Sequence, residues 1–385
     1  DRVASRGLGD VYKRQDPPMN NWFNNQENYT NTTHIRQSIQ DIHASEFDKR
    51  GHADGWFVET MPDLNQKNPL VSKYLIQNAI WWIEYAGLSG LRVDTYPYAD
   101  RDFMGDWTRD LMLEYPKFNI VGEEWSPNPA ITSYWQMGKQ NHDGYISYLP
   151  SLMDFPLQIA FVEALNDDFG WGKGFIKAYQ MLANDFLYAD PYNLVIFPDN
   201  HDMTRFYTQV NNDLDLFNMG IVYFATMRGI PQFFYGTEIL MNSNKSPGNH
   251  GLIRSNFPGG FPGDRINAFN RNGLNVDQIK TLDFFKKILN WRKSNEVIHH
   301  GKLIQFAPMT GGWNEVYSYF RIYNKKKVWV LFNRGNHTIE VDMERYSELI
   351  ENHTRGYEIL TDRNIELKKG ILMEGKSSMI IELNP

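Results

Sequence analysis

Between residues 56 and 295, short apolar runs alternate with longer stretches in which apolar positions recur at helical spacing. In "NPLVSKYLIQNAIWWIEYAGL" the positions Leu70, Tyr74, Ile76, Ile80, Trp81 and Ile83 mark such a helix, and Gly87 stands where a C-cap is expected. Further helices are predicted around 103–115, 161–165 and 175–186, at Leu214–Thr226 and at Val276–Lys293. The runs "GLRVDTY", "FNIVGEEW", "LMDFP", "NLVIFPDN" and "IPQFFYG" read as five short strands. Strand then helix, repeated, is the pattern of a parallel sheet with crossover helices. Residues 20–55, rich in Asn, read as loop.

Beyond residue 300 the rhythm changes. "EVYSYFRIY", "KVWVLFNR", "HTIEVDM", "YEILTD" and "KSSMIIELN" are short, alternating or β-branched, and separated by turn residues. They predict an antiparallel β-sandwich over 301–385, after an α/β domain over 17–300. The opening stretch 1–16 is basic, lacks an apolar period and stops at Asp16-Pro17-Pro18. It is expected to be foreign to the protein and is set apart from the fold.

Composition narrows the partners. Trp 11, Tyr 21 and Phe 24 are an abundance that suits cores and also sugar-stacking surfaces, since a pyranose presents an apolar C–H face to a ring. A formal charge of -7 argues against a nucleic-acid backbone as partner, which requires clustered Lys and Arg. The absence of cysteine removes disulfides, thiolate catalysis and thiolate-ligated metals together. No apolar run is long enough to span a membrane.

Three of the five strand segments end in acids: Asp94 in "GLRVD", Glu123 and Glu124 in "IVGEEW", Asp199 and Asp202 in "FPDNHD". A single such acid is ordinarily a helix cap or loop anchor. Three of them on one parallel sheet share the C-terminal face, where α/β active sites form. Converging carboxylates suit either a hard cation such as Mg²⁺ or glycoside hydrolysis. Glycoside hydrolysis needs one ionised carboxylate and one protonated acid, and repulsion from the other carboxylates would hold the proton on the second. Arg92, two residues before Asp94, would keep that aspartate ionised, and strand alternation would send Glu123 and Glu124 to opposite faces.

At these residues the chain resembles a known family. "GLRVDTYPY" is similar to the G-x-R-x-D block of the α-amylase superfamily (glycoside hydrolase family 13), "VGEEW" to its G-E-x-W block and "FPDNHD" to its N-H-D block. "MPDLN" resembles the additional P-D-L-N motif, and "GIPQFFYGTE" the last barrel strand. The segment from "GWFVETMPDLNQ" onward looks closest to the neopullulanase and cyclomaltodextrinase-like branch.

The resemblance implies a (β/α)₈ TIM barrel followed by the C-terminal β-sandwich. It makes Asp94 the nucleophile, Glu123 the general acid/base and Asp202 the third acid, acting on α-glucan oligosaccharides or polysaccharides with retention of anomeric configuration. Arg92, Asn200 and His201 match residues around the reacting sugar, and Trp125, Arg205 and Tyr98 are further candidates for substrate contact. The block expected before "MPDLN", a strand ending in Asp followed by Asn and His, has no match, and the five strands correspond to the fourth through eighth of the family barrel. An incomplete barrel, N-terminally truncated and weakly active or inactive as a fragment, is therefore expected. No cofactor is required; a structural Ca²⁺ in the intact parent stays open, as does the oligomeric state. The substrate class implies a periplasmic or extracellular parent. A transglycosylase using the same three acids and a catalytically silent glucan-binding or partner protein remain alternatives.

Overall fold

The structure, a computed structural model, describes residues 19–25, 28–168, 170–308, 316–350 and 353–383; the stretch 1–16 lies outside them. The described chain packs as two units, one formed by residues up to 155 with 186–195, the other by 156–185 with 196–385.

In the first unit, strands β1 (Gly90–Val93), β2 (Asn119–Gly122) and β3 (Ser151–Leu152) form a parallel sheet in that order. Helices Pro69–Ala86 and Arg101–Glu114 connect and flank it. The first begins with an Asn68 side-chain cap and Pro69 in its first turn, and ends at Gly87 in the left-handed conformation, which glycine adopts without a Cβ clash. Val71 and Ile83 are its fully buried positions. Of the predicted apolar stripe, Leu70, Tyr74 and Trp81 are exposed, together with Trp82 and Tyr85. Ile83, Phe103, Leu111, Ile120, Trp135, Leu149 and Leu152 build the core of this unit. Residues 20–55 are not all loop: Glu46–Ala53 is a helix capped by Ser45, too short and too polar to show an apolar stripe.

Strand β4 (Val195–Ile196) pairs with β5 (Ile230–Pro231), so all five predicted strands exist, each shorter than its apolar run. Helices Leu214–Thr226 and Val276–Lys293 have the predicted bounds. The latter opens with an Asn275–Gln278 capping box.

The C-terminal strands β6 (Lys302–Phe306), β7 (Val316–Tyr323), β8 (Lys326–Asn333), β10 (Arg355–Glu358), β11 (Arg363–Glu366) and β13 (Ser377–Leu383) form one antiparallel sheet, ordered β11-β10-β13-β8-β7-β6. Strands β9 (Ile339–Val341) and β12 (Ile371–Met373) make a separate pair. The sandwich is thus a six-stranded sheet with a two-stranded partner. Tyr317, Tyr319, Val330 and Phe332 face Phe161 and Tyr223 on one side of the large sheet. Phe320, Trp329, Leu331 and Ile381 face Val341, Tyr346 and Ile371 on the other. Burial on both faces explains why "VWVLF" in β8 is continuously apolar instead of alternating.

Candidate active site

Strands β1 and β2 run in register from Gly90 opposite Asn119 to Val93 opposite Gly122. The residues that follow, Asp94 and Glu123, therefore leave the sheet at the same level. The pairing continues into the loops: Glu123 N–H donates to the Val93 carbonyl at 2.9 Å, and Tyr96 N–H to the Glu123 carbonyl at 3.1 Å. Gly122 is required by space, since a Cβ there would lie 2.7 Å from Leu149 Cδ2.

Arg92 holds both acids. Its guanidinium pairs with Asp94 Oδ1 through one terminal nitrogen and lies 2.8 Å from Glu123 Oε1 through the other. The other Glu123 oxygen accepts the Thr95 N–H at 2.9 Å. Thr95 presents that N–H from the left-handed region (φ 43°), a costly conformation for a β-branched residue and one that concentrates at functional sites. Glu123 is nearly buried, whereas the Asp94 side chain is 65% exposed and open to attack on a ligand.

Burial is the leading reason why the Glu123 carboxyl is pushed up to about 6, with Asp94 adding to it and the Thr95 N–H and Arg92 opposing it. Sequence reasoning expected carboxylate repulsion to dominate; desolvation leads instead. Glu123 and Glu124 do part company as alternation predicts. Glu124 is fully buried and faces Arg36, whose Nε lies 3.3 Å away, and burial pushes it up to about 7.

Trp125 is half-buried and stacks on Phe155 with centroids 4.6 Å apart. Tyr98 is packed by aromatic rings, 4.8 Å from His52 and 5.1 Å from Phe57, and its hydroxyl lies 3.2 Å from His34 Nδ1. Phe57, Met61, Asp63, Asp94, Thr95 and Tyr98 share one cavity with a volume of about 340 Å³. His34, Arg36 and His52 went unread in the sequence, because they sit in the segment without an apolar period, and Phe57 was noted only within "GWFVETMPDLNQ".

The second unit carries the "FPDNHD" acids. Asp199 is fully buried and accepts the Phe206 N–H at 2.8 Å, so it anchors its own loop. Asn200 is buried and accepts the Asp202 N–H at 2.8 Å through Oδ1. Asp202 accepts a hydrogen bond from the Arg254 guanidinium and has His201 Nε2 at 3.0 Å and His250 Nδ1 at 3.4 Å beside it. Arg254 also donates from Nε to the His201 carbonyl at 3.0 Å. His250 and Arg254 follow a capping Asn249 in "NHGLIRS", a signal too local to be read as part of an acid site. Arg205 is buried, and its guanidinium donates to the carbonyls of Ile253 and Tyr235 and lies over Phe234. The structure therefore places Arg205 inside the protein, as a tie between loops. Among the described residues no group of three or more His, Asp or Glu could hold a metal ion.

Residues 9–296 match the alpha amylase catalytic domain, and residues 303–382 match the cyclo-malto-dextrinase C-terminal domain. The chain belongs to the α-amylase family. Within this family, glycoside hydrolase family 13, it falls in the neopullulanase-like branch. It is 26% identical over 283 residues to a cyclomaltodextrinase of Thermoanaerobacter pseudethanolicus, covering 72% of this chain and 43% of that protein. It is 27% identical over 291 residues to an intracellular maltogenic amylase of Bacillus subtilis, covering 73% of this chain and 42% of that one. The chain thus spans about two fifths of the length of these curated relatives. Its fold is similar to that of the α-amylase from Geobacillus thermoleovorans in complex with acarbose. That likeness has a TM-score of 0.73 at 21% identity and covers 96% of this chain and 73% of the other.

Proposed function

We propose that the protein is a retaining glycoside hydrolase acting on α-glucans: starch, maltooligosaccharides, pullulan or cyclomaltodextrins. The observation that carries this reading is the pair of acids at the ends of two in-register parallel strands. One is exposed, one is buried with its carboxyl raised, and a single arginine holds both. The exposed Asp94 attacks the anomeric carbon while the buried Glu123 gives its proton to the glycosidic oxygen, and the C–O bond to the leaving sugar breaks. Glu123, now ionised, takes a proton from water as that water attacks the same carbon, and Asp94 leaves. Two inversions give net retention.

Asp202, with His201 and Arg254 around it, takes the role of the third acid, accepting hydrogen bonds from sugar hydroxyls that strengthen in the transition state. Tyr98 and Trp125 supply ring surface for sugar contact. The substrate class is the ground for a periplasmic or extracellular location of the intact protein, which belongs to the same proposal.

Transglycosylation is the second reading, favoured by 27% identity over 280 residues to a cyclomaltodextrin glucanotransferase of Geobacillus stearothermophilus. It uses the same residues and differs in what attacks the intermediate. Incubation with maltoheptaose and with β-cyclodextrin, followed by product sizing and proton NMR of the new anomeric centre, tests both. Shorter α-configured products are expected. Longer products would favour transfer, and β-configured products would refute the covalent mechanism.

A further inference from the structure

The proposed chemistry gives Asp202 a task and leaves Arg205, three residues further on, without one, yet Arg205 is fully buried. A buried guanidinium is costly and persists where charge and hydrogen bonds compensate it. The carboxylates acting on it are Asp199, at the start of the same loop, and Glu238. The Phe234 ring lies beneath it, with its centroid 4.1 Å from the guanidinium carbon. The hydrogen bonds leave the loop altogether. Arg205 Nε donates to the Ile253 carbonyl at 2.8 Å, and one terminal nitrogen donates to the Tyr235 carbonyl. The other terminal nitrogen has no hydrogen-bond partner among the described residues, so these two carbonyls are what the side chain holds.

Arg205 thereby joins three pieces of chain: the acid loop 199–206, the loop 234–238 after β5 and the segment 249–255. Tyr235 fastens the last two again, its hydroxyl donating to the Ser255 carbonyl at 3.0 Å. The point of attachment matters. Ile253 is followed directly by Arg254, whose guanidinium donates to Asp202 and, from Nε, to the His201 carbonyl at 3.0 Å. His250 Nδ1, from the same turn, lies 3.4 Å from Asp202. Segment 249–255 is therefore stapled to the acid loop twice, once by Arg205 reaching out from the loop and once by Arg254 reaching back. The helix His250–Ile253 is a single turn, too short to hold Arg254 in place by its own hydrogen bonds.

We propose that Arg205 is a positioning residue for Asp202: by holding the Ile253 carbonyl it seats segment 249–255, so that Arg254 meets the Asp202 carboxylate and fixes the direction in which that acid faces the sugar. The inference rests on the proposed role of Asp202 as the third acid. Arg205 touches no reacting atom, and its effect passes through Arg254. The two arginines then act as one unit, and residues that act as one unit are non-additive on removal.

The test is a double-mutant cycle in the full chain, with kcat and KM measured on maltoheptaose. Arg205→Met removes both donors and should lower kcat/KM by about 10-fold, the size expected for losing Arg254 itself. In an Arg254→Met background, which already lacks the contact with Asp202, the same substitution should cost less than about 2-fold. Equal losses in the two backgrounds would overturn the proposal, because a purely structural role would lower activity by the same factor whether or not Arg254 is present. Should Arg205→Met fail to fold, Arg205→Lys, which keeps the buried charge and loses the two-point attachment, runs the same cycle with a first loss of about 5-fold. Asp202→Asn with undiminished turnover would instead refute the third-acid reading. The seating of Arg254 is then followed without turnover, by hydrogen exchange of its Nε–H in ¹⁵N NMR spectra. Arg205→Lys should speed that exchange by about 3-fold or more, and an unchanged rate would overturn the proposal.

Discussion

The two acid clusters are built in different ways. In the first unit the backbone does the placing: β1 and β2 run in register to Val93 and Gly122, so Asp94 and Glu123 emerge level, and one residue of β1, Arg92, binds both. In the second unit side chains from a separate segment do it, with Arg254 and His250 reaching Asp202 from beyond Asn249. A cluster fixed by strand register is rigid, because moving an acid means moving the sheet. A cluster held by side-chain pairs on loops can be loosened one partner at a time. Substitutions should therefore act in steps in the second cluster and all at once in the first.

The largest effect is expected in the first cluster. Asp94→Asn and Glu123→Gln should each lower kcat by roughly 10³-fold or more, with circular dichroism unchanged, since each removes a reacting group. Glu124→Gln should cost far less, and the reverse ranking would overturn the assignment. Next comes Asp202→Asn, expected to lower kcat/KM by about 10²-fold, with Arg254→Met producing a smaller loss of about 10-fold. Equal losses from these two would show that the second cluster also behaves as one rigid unit and would erase the contrast.

Proton affinity sharpens the comparison further. The Glu123 carboxyl, at about 6, lies above the ordinary glutamate value, and a general acid works only while protonated. kcat/KM should therefore fall as pH rises through about 6. Glu123→Gln should abolish that limb, while Asp202→Asn should leave it in place.

A smaller effect concerns stability. Glu124 holds its proton up to about 7 in the folded protein, above the ordinary glutamate value of about 4.5. The folded state then binds more proton than the unfolded one between those values, so stability from this group is greatest at the acid end and is lost as pH rises through the window. The loss amounts to at most about 3 kcal/mol. Differential scanning calorimetry at pH 5 and pH 7.5 should show the Tm of wild type falling relative to Glu124→Gln. A pH-independent difference would mean that Glu124 is ionised throughout.

What could be read from the sequence follows the same division. Five strands, the capped helix Pro69–Ala86 and the long helix Val276–Lys293 were legible, because period and cap residues are local signals. So were the acids, since each follows an apolar run. The Asp202 neighbours Arg254 and His250, the pair of Arg36 with Glu124, and the ring contacts of His52 and Phe57 with Tyr98 were not. They join residues between 41 and 88 positions apart or meet across loops, and no period marks them. Strands β6, β11 and β12 were missed for a related reason: all three are short, β6 and β11 carry charged residues, and pairing to a neighbour decides their conformation. Arg205 shows the converse, a charged residue in a functional-looking block that lies buried, with Nε and one terminal nitrogen donating to backbone carbonyls.

The most direct measurement is to trap the covalent intermediate. Incubation with a 5-fluoro-α-glucosyl fluoride slows departure from the nucleophile, and peptide mass spectrometry locates the adduct. A hexose-sized increment on the peptide carrying Asp94 is expected, accumulating under conditions where Glu123→Gln reacts slowly. Label on the peptide carrying Asp202, or inhibition without any covalent adduct, would contradict Asp94 as the nucleophile.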